Sequence, residues 1–228
     1  MTPTKTPPLV VAIDGPAAAG KGTLAKRLAD TLELAYLDSG LLYRATASLA
    51  LAATSSPGDA DFLAAARGLT AADLERRDLR DPEMGQLASK AAALPEVRDL
   101  LIGFQRDFAE KPPEGKRGAV LDGRDIGTVI CPQAAVKIYV TASDQVRAQR
   151  RCSELQERGL QAIYSAVLHE VQERDRRDRE RAVAPLKPAP DAVELDTSDL
   201  DREEVFQQAM AVVEARVDRA ETGANPKA

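Results

Sequence analysis

The stretch Gly15-Pro16-Ala17-Ala18-Ala19-Gly20-Lys21 constrains this chain more than any other, because it fits G-x-x-x-x-G-K and separates two segments of different periodicity. Before it, Leu9-Val10-Val11-Ala12-Ile13 is a short apolar run of the kind that makes a buried strand; after it, Leu24, Leu28 and Leu32 recur at helical spacing. In a strand, small-residue loop and helix, successive backbone N–H groups and the positive helix end can cradle phosphate oxygens, while Lys21 adds a mobile charge. Gly15 through Thr23 are therefore expected to hold the phosphates of a nucleotide. The hydroxyl of Thr23 follows Gly22, one position later than in the common G-K-[ST] form. A plain glycine-rich turn with a solvated lysine is the alternative.

The remaining strand-type runs are Tyr36-Leu37, Ala119-Val120-Leu121, Val136 to Val140 and Ala192 to Leu195, with helical material between most of them. Such interleaving predicts an α/β fold whose mainly parallel sheet is covered on both faces, with ligands at the carboxyl ends of its strands. With 228 residues, one domain over residues 9–220 is expected, its core at 9–53, 116–145 and 182–220. Residues 54–115 form an Ala/Leu-rich helical insert broken at Gly68, Pro82 and Pro95 and without a strand, and residues 146–181 a lid region. The Thr/Pro-rich residues 1–8 and the Gly/Asn/Pro-containing residues 221–228 read as flexible tails.

No apolar run approaches the roughly 20 residues of a membrane span, and no signal-type segment is evident, so a cytoplasmic protein without membrane contact is expected. Cys131, Cys152 and the single His169 make neither a disulfide framework nor a metal motif. The net charge of -5 argues against an extended nucleic-acid footprint. The arginines nevertheless crowd locally, at 147–151 and 174–181, which points to a compact anionic ligand.

A phosphotransferase must hold donor and acceptor in line, and this sequence offers a second anion subsite. Arg44 follows Asp38-Ser39-Gly40, and Arg124 and Asp125 follow a strand ending at Asp122. On a helix, Arg174, Asp178 and Arg181 share one face, so two arginines flank an aspartate that can keep them from repelling one another while the site is empty. The same run also fits a solvated helix laced with ion pairs. Asp122 at a strand end can help position hydrated Mg²⁺ or can serve a turn alone.

With Ile13-Asp-Gly-Pro16, Gly20-Lys-Gly-Thr23, Leu37-Asp-Ser-Gly40, Tyr43-Arg44, Asp122-Gly-Arg-Asp125-Ile-Gly-Thr128, and Glu173-Arg-Asp-Arg-Arg-Asp178 through Pro185 in order, the chain resembles the bacterial-type cytidylate kinases. The resemblance implies a P-loop kinase fold with a five-stranded parallel core, a monophosphate-binding insert and a short lid. It implies transfer of the γ-phosphoryl group of ATP to CMP or dCMP with Mg²⁺, by a monomer. Ser89, Arg98 and Asp125 match residues that hold the pyrimidine. Ser39, Arg44, Arg124 and Arg181 match those on the acceptor phosphate, and Arg174 with Asp178 those on the sugar.

A carboxylate at Asp125 suits cytosine, whose N4 amino group donates where uracil presents a carbonyl. The acceptor oxygen is already anionic, so catalysis is expected from alignment and from the charges of Lys21, Arg124, Arg181 and lid arginines Arg147, Arg150 and Arg151, with Thr23 and Asp122 near the metal. Two departures stand out. Ala17-Ala18 replaces the usual Ser-Gly, placing a Cβ where the loop tolerates positive φ. The insert also lacks the strand-like segment of longer relatives. An adenylate- or uridylate-specific kinase and an ATP-binding regulatory module are the rival readings.

Overall fold

The apolar run at Leu9 becomes the middle strand of a five-stranded sheet in the computed structural model, which describes residues 7–222. Strands β1 (Leu9–Asp14), β2 (Ala35–Asp38), β3 (Gly118–Gly123), β4 (Val136–Thr141) and β5 (Val193–Asp196) are all parallel, in the order β2-β3-β1-β4-β5. Every residue of β3 is buried, as a strand covered on both faces requires. One face packs Val11, Ile13, Val120 and Ile138 against the helix after β1 and the last helix of the chain. The other packs Ala12, Leu37, Ala119 and Leu121 against Ile126, Ile130 and Ala109.

Helix α1 (Lys21–Leu32) follows the loop, and α2 (Ser39–Ala53) follows β2. The insert consists of α3 (Asp59–Gly68), short 3-10 turns at Ala71–Glu75, Arg77–Arg80 and Pro113–Gly115, α4 (Pro82–Ala91) and α5 (Pro95–Glu110), with no strand. The predicted breaks hold: α3 ends at Gly68, and Pro82 and Pro95 stand at the first positions of their helices, where a missing N–H costs nothing. The insert has its own core, with Phe62, Met84, Ala88 and Leu101 against Leu42 and Ala47 of α2.

Helices α6 (Asp144–Glu157) and α7 (Tyr164–Glu180) make the predicted lid region a helical hairpin closed on Ala148, Cys152, Leu155, Val167 and Val171. Helix α7 stops at Glu180, so Arg181 is not on the helical face shared by Arg174 and Asp178. Its backbone is extended (φ -59°, ψ 138°), and the Leu186 N–H instead donates to the Asp178 carbonyl at 2.7 Å. Helix α8 (Arg202–Thr222) runs two residues into the segment expected as a tail; residues 1–6 and 223–228 lie outside the described residues. No helix among the described residues is long and apolar enough to cross a membrane.

Candidate active site

The carboxyl ends of the sheet carry acids in register: Asp38 of β2 pairs with Asp122 of β3, which pairs with Ile13 of β1, and Asp14 closes β1. Gly15 turns the chain out of β1 with φ 145°, and a Cβ there would lie 1.9 Å from the Val140 carbonyl oxygen, so only glycine fits. Ala18 takes φ 59°, confirming that the alanine at this position carries left-handed backbone; the geometry costs about 1–2 kcal/mol without glycine. Lys21 Nζ folds back onto the Pro16 carbonyl at 2.7 Å. Burial, with the Arg124 charge adding, pulls its ammonium down to about 7, against the opposing pull of Asp122.

Across from this loop, one cleft of about 760 Å³ gathers Ser39, Arg44, Ser89, Arg98, Arg124, Asp125, Arg174, Asp178 and Arg181 with Lys21. Arg124 Nε donates to Asp178 Oδ2 at 3.0 Å, and Ser89 Oγ to Asp178 Oδ1 at 3.4 Å. Arg98 Nη2 donates to Asp125 Oδ2, and Arg181 Nη2 lies 3.3 Å from Asp125 Oδ1. The two aspartates thus hold the guanidiniums in place, but not as the helix spacing implies: Asp178 pairs with Arg124 from beyond β3, and Arg181 pairs with Asp125.

Arg174 is different. Among the described residues it makes no ion pair or side-chain hydrogen bond, and its Nε is buried without a partner. Burial, with the Arg124 charge adding, pulls this guanidinium down to about 9. The Asp178 carboxylate offsets part of this, and an anion entering the cleft would offset more. Arg44 Nη1 donates to the Leu79 carbonyl at 2.8 Å, which aims it into the same space.

A model of the cytidylate kinase family matches residues 11–215 of this sequence. The chain belongs to the cytidylate kinase family. Relatives called cytidylate kinase from Paramagnetospirillum magneticum (57% identical), Cereibacter sphaeroides (55%) and Methylocella silvestris (52%) align with 90%, 90% and 94% of this chain and 97%, 95% and 98% of their own length. Its members are nucleoside monophosphate kinases, and ATP is a substrate of this class.

In this cytidylate kinase fold, the oxygen donors at the sheet's edge suit a hard cation: the carboxylates of Asp122 and Asp38 and the hydroxyl of Thr23 all line the cleft. Burial pushes the Asp122 carboxyl up to about 7, Asp38 adds to this, and Lys21 and Arg124 oppose it. Such a carboxylate gains from a nearby cation.

The arginines expected to act from the hairpin part company. Arg151 lines the cleft, paired with Glu154 at 2.8 Å. Arg150 turns away to Thr197, donating to its Oγ1 at 2.9 Å and its carbonyl at 2.7 Å, and does not line the cleft. Arg147 is buried, its N–H groups committed to Ala17, Ala142, Asp144 and Asp175. The hairpin also touches the insert directly, where Arg158 Nη2 donates to Asp81 Oδ1 at 2.9 Å.

Asp14 has no role that local spacing reveals, yet its carboxylate accepts the Ile126 and Gly127 N–H groups at 2.7 Å each and so fixes the turn that follows Asp125. The same holds for Tyr43, whose hydroxyl accepts from Arg98 Nη1 at 3.3 Å. Both lie inside family stretches, and their membership was the available signal. Gly85, against which Arg44 and Arg174 pack, had none.

Proposed function

We propose that this chain transfers the γ-phosphoryl group of ATP to CMP or dCMP, giving CDP or dCDP and ADP, in the cytoplasm and as a monomer. The observation that carries the reading is the convergence of Arg44, Arg124, Arg174 and Arg181 in the cleft that Lys21 also lines. One polyphosphate and one monophosphate can face each other there, and every side chain required comes from one chain.

In this reading the loop amides from Gly15 to Thr23 and Lys21 hold the donor phosphates, at the N-terminus of α1. Ser39, Arg44, Arg124 and Arg181 hold the acceptor phosphate, while Arg174 and Asp178 take the sugar side. No general base is needed, because the attacking phosphate oxygen is ionised near neutral pH. The side chains therefore act by alignment and by neutralising charge as it shifts between the nucleotides. Asp122 and Thr23 would hold Mg²⁺, directly or through water, and the ion would neutralise phosphate charge when bound. Arg151 is the lid residue best placed to add to this, with Arg150 requiring a change of rotamer to reach the cleft.

Asp125 would accept from the N4 amino group of cytosine, held for that purpose by Arg98 and Arg181. Uracil presents a carbonyl there, and two acceptors repel, so discrimination of at least about 10²-fold is expected. The test is a monophosphate panel, CMP, dCMP, UMP and AMP, with ATP and Mg²⁺. Turnover of the two cytidylates with UMP and AMP far behind supports the reading. Binding of ATP with no product on any acceptor supports a regulatory module instead.

A further inference from the structure

Arg147 and Asp175 form an ion pair that reaches neither subsite, yet joins the elements that carry both. Arg147 is 1% and Asp175 2% exposed at the side chain, and Arg147 Nη2 donates to Asp175 Oδ2 at 2.6 Å. The other terminal nitrogen of the same guanidinium, Nη1, donates to the Ala17 carbonyl at 3.1 Å. Nε is tied to the Ala142 carbonyl at 2.9 Å, at the end of β4. Asp175 sits on α7 next to Arg174 and three residues before Asp178, both of which line the cleft.

We infer that Arg147 and Asp175 are positioning residues that set the distance and angle between the donor loop and the acceptor wall. The guanidinium is planar and rigid, so its two ends hold the Ala17 carbonyl and the α7 carboxylate in one fixed relation. The contact on Ala17 matters because the next residue is Ala18, the non-glycine residue at φ 59°. Left-handed backbone at alanine persists where the surroundings over-determine it, and the Arg147 hydrogen bond restrains that peptide. The orientation of this peptide decides where the following amides point. Stability alone is a poor account of the pair: burying both charges offsets most of their attraction, and Asp175 Oδ1 is left without a partner among the described residues.

The inference rests on the kinase reading above, and predicts a defect in alignment rather than in the affinity for either nucleotide. Arg147→Lys keeps the charge but loses the fork, and Asp175→Asn keeps the shape but weakens the hold. Rates are normalised to folded, nucleotide-binding enzyme, so loss of material does not enter. Expected for both is a kcat lowered roughly 10- to 100-fold, with KM for ATP and for CMP each within about threefold of the parent. The double variant should be no worse than the poorer single, because one link is cut once. Asp175→Glu, which restores the carboxylate, should regain part of the loss, and it keeps the question answerable where Arg147→Lys fails to fold.

An unchanged kcat in Asp175→Asn, or a rise confined to one substrate's KM, overturns the link. Parent enzyme inactive on every monophosphate would instead overturn the kinase reading, so the two failures are distinct.

Discussion

Arg124 and Asp178, 54 residues apart in sequence, meet at 3.0 Å and form a charge pair in the arginine-rich wall of the cleft. Burial opposes ionisation of Asp178, but the charges of Arg124, Arg174 and Arg181 outweigh it and hold the carboxyl below its usual range. The carboxylate thus acts as an internal counter-ion. Its stabilisation is present above the unfolded value of about 3.8 and lost as pH falls through the lower folded value.

Asp178→Asn should therefore destabilise the empty protein by about 3–5 kcal/mol, the usual result of leaving buried charge uncompensated. Phosphate or CMP should restore more of its Tm than either adds to the parent, since an anion replaces the missing charge. Thermal denaturation with and without ligand checks this; a ligand shift equal to the parent's would contradict the counter-ion role.

Asp125→Asn separates base reading from fold. The amide keeps a hydrogen-bonding group for Arg98, which is 1% exposed and cannot be left alone cheaply. It also offers a donor to the uracil carbonyl. The ratio of kcat/KM for CMP over UMP should drop by about 10²-fold, while KM for ATP stays within about twofold. Equal losses with both pyrimidines would remove Asp125 from base recognition.

These pairs explain what was legible in the sequence. Local information sufficed for the phosphate loop, for the strand runs and for the insert's helix starts, since Pro82 and Pro95 act on their own neighbours. Order of motifs sufficed to group the cleft residues. What stayed hidden were partners at long range: Arg147 with Ala17 are 130 residues apart, and Asp14 with Ile126 112. Arg147 looked like one more lid cation because nothing near it in sequence reveals that its fork is already occupied. Charge spacing alone extends the helix through Arg181, whereas the backbone leaves the helix after Glu180.

The neutral-range titrations beside the phosphate loop have one direction. Burial, with Arg124 adding, brings Lys21 down to about 7, and burial, with Asp38 adding, brings Asp122 up to about 7. As pH rises through 7, the first loses positive charge and the second gains negative charge, and both changes oppose a triphosphate. Metal-free ATP should bind progressively more weakly from pH 7 to 9, with Kd rising by up to roughly tenfold per unit for each proton lost. With Mg²⁺ the slope should flatten, because the ionised form of Asp122 is the one that favours the cation. Calorimetric titrations across this range with and without Mg²⁺ test it; a flat metal-free profile would show that neither group titrates there.

Gly85 allows stability and substrate binding to be pulled in opposite directions. It lies inside α4, where glycine is about 1 kcal/mol less favourable than alanine. A Cβ at this position would come 3.3 Å from Arg44 Nη2 and 3.5 Å from Arg174 Nη1, both mobile ends of long side chains. Gly85→Ala should therefore fold, and should raise Tm by roughly 2–4 °C through helix propensity. The same methyl group should displace the two guanidiniums from the acceptor, so KM for CMP should rise about fivefold, a loss of about 1 kcal/mol, with KM for ATP unchanged. Steady-state kinetics beside thermal denaturation decide the matter. A stabilised variant with unaltered CMP kinetics would mean that Arg44 and Arg174 do not hold the acceptor from where they now rest.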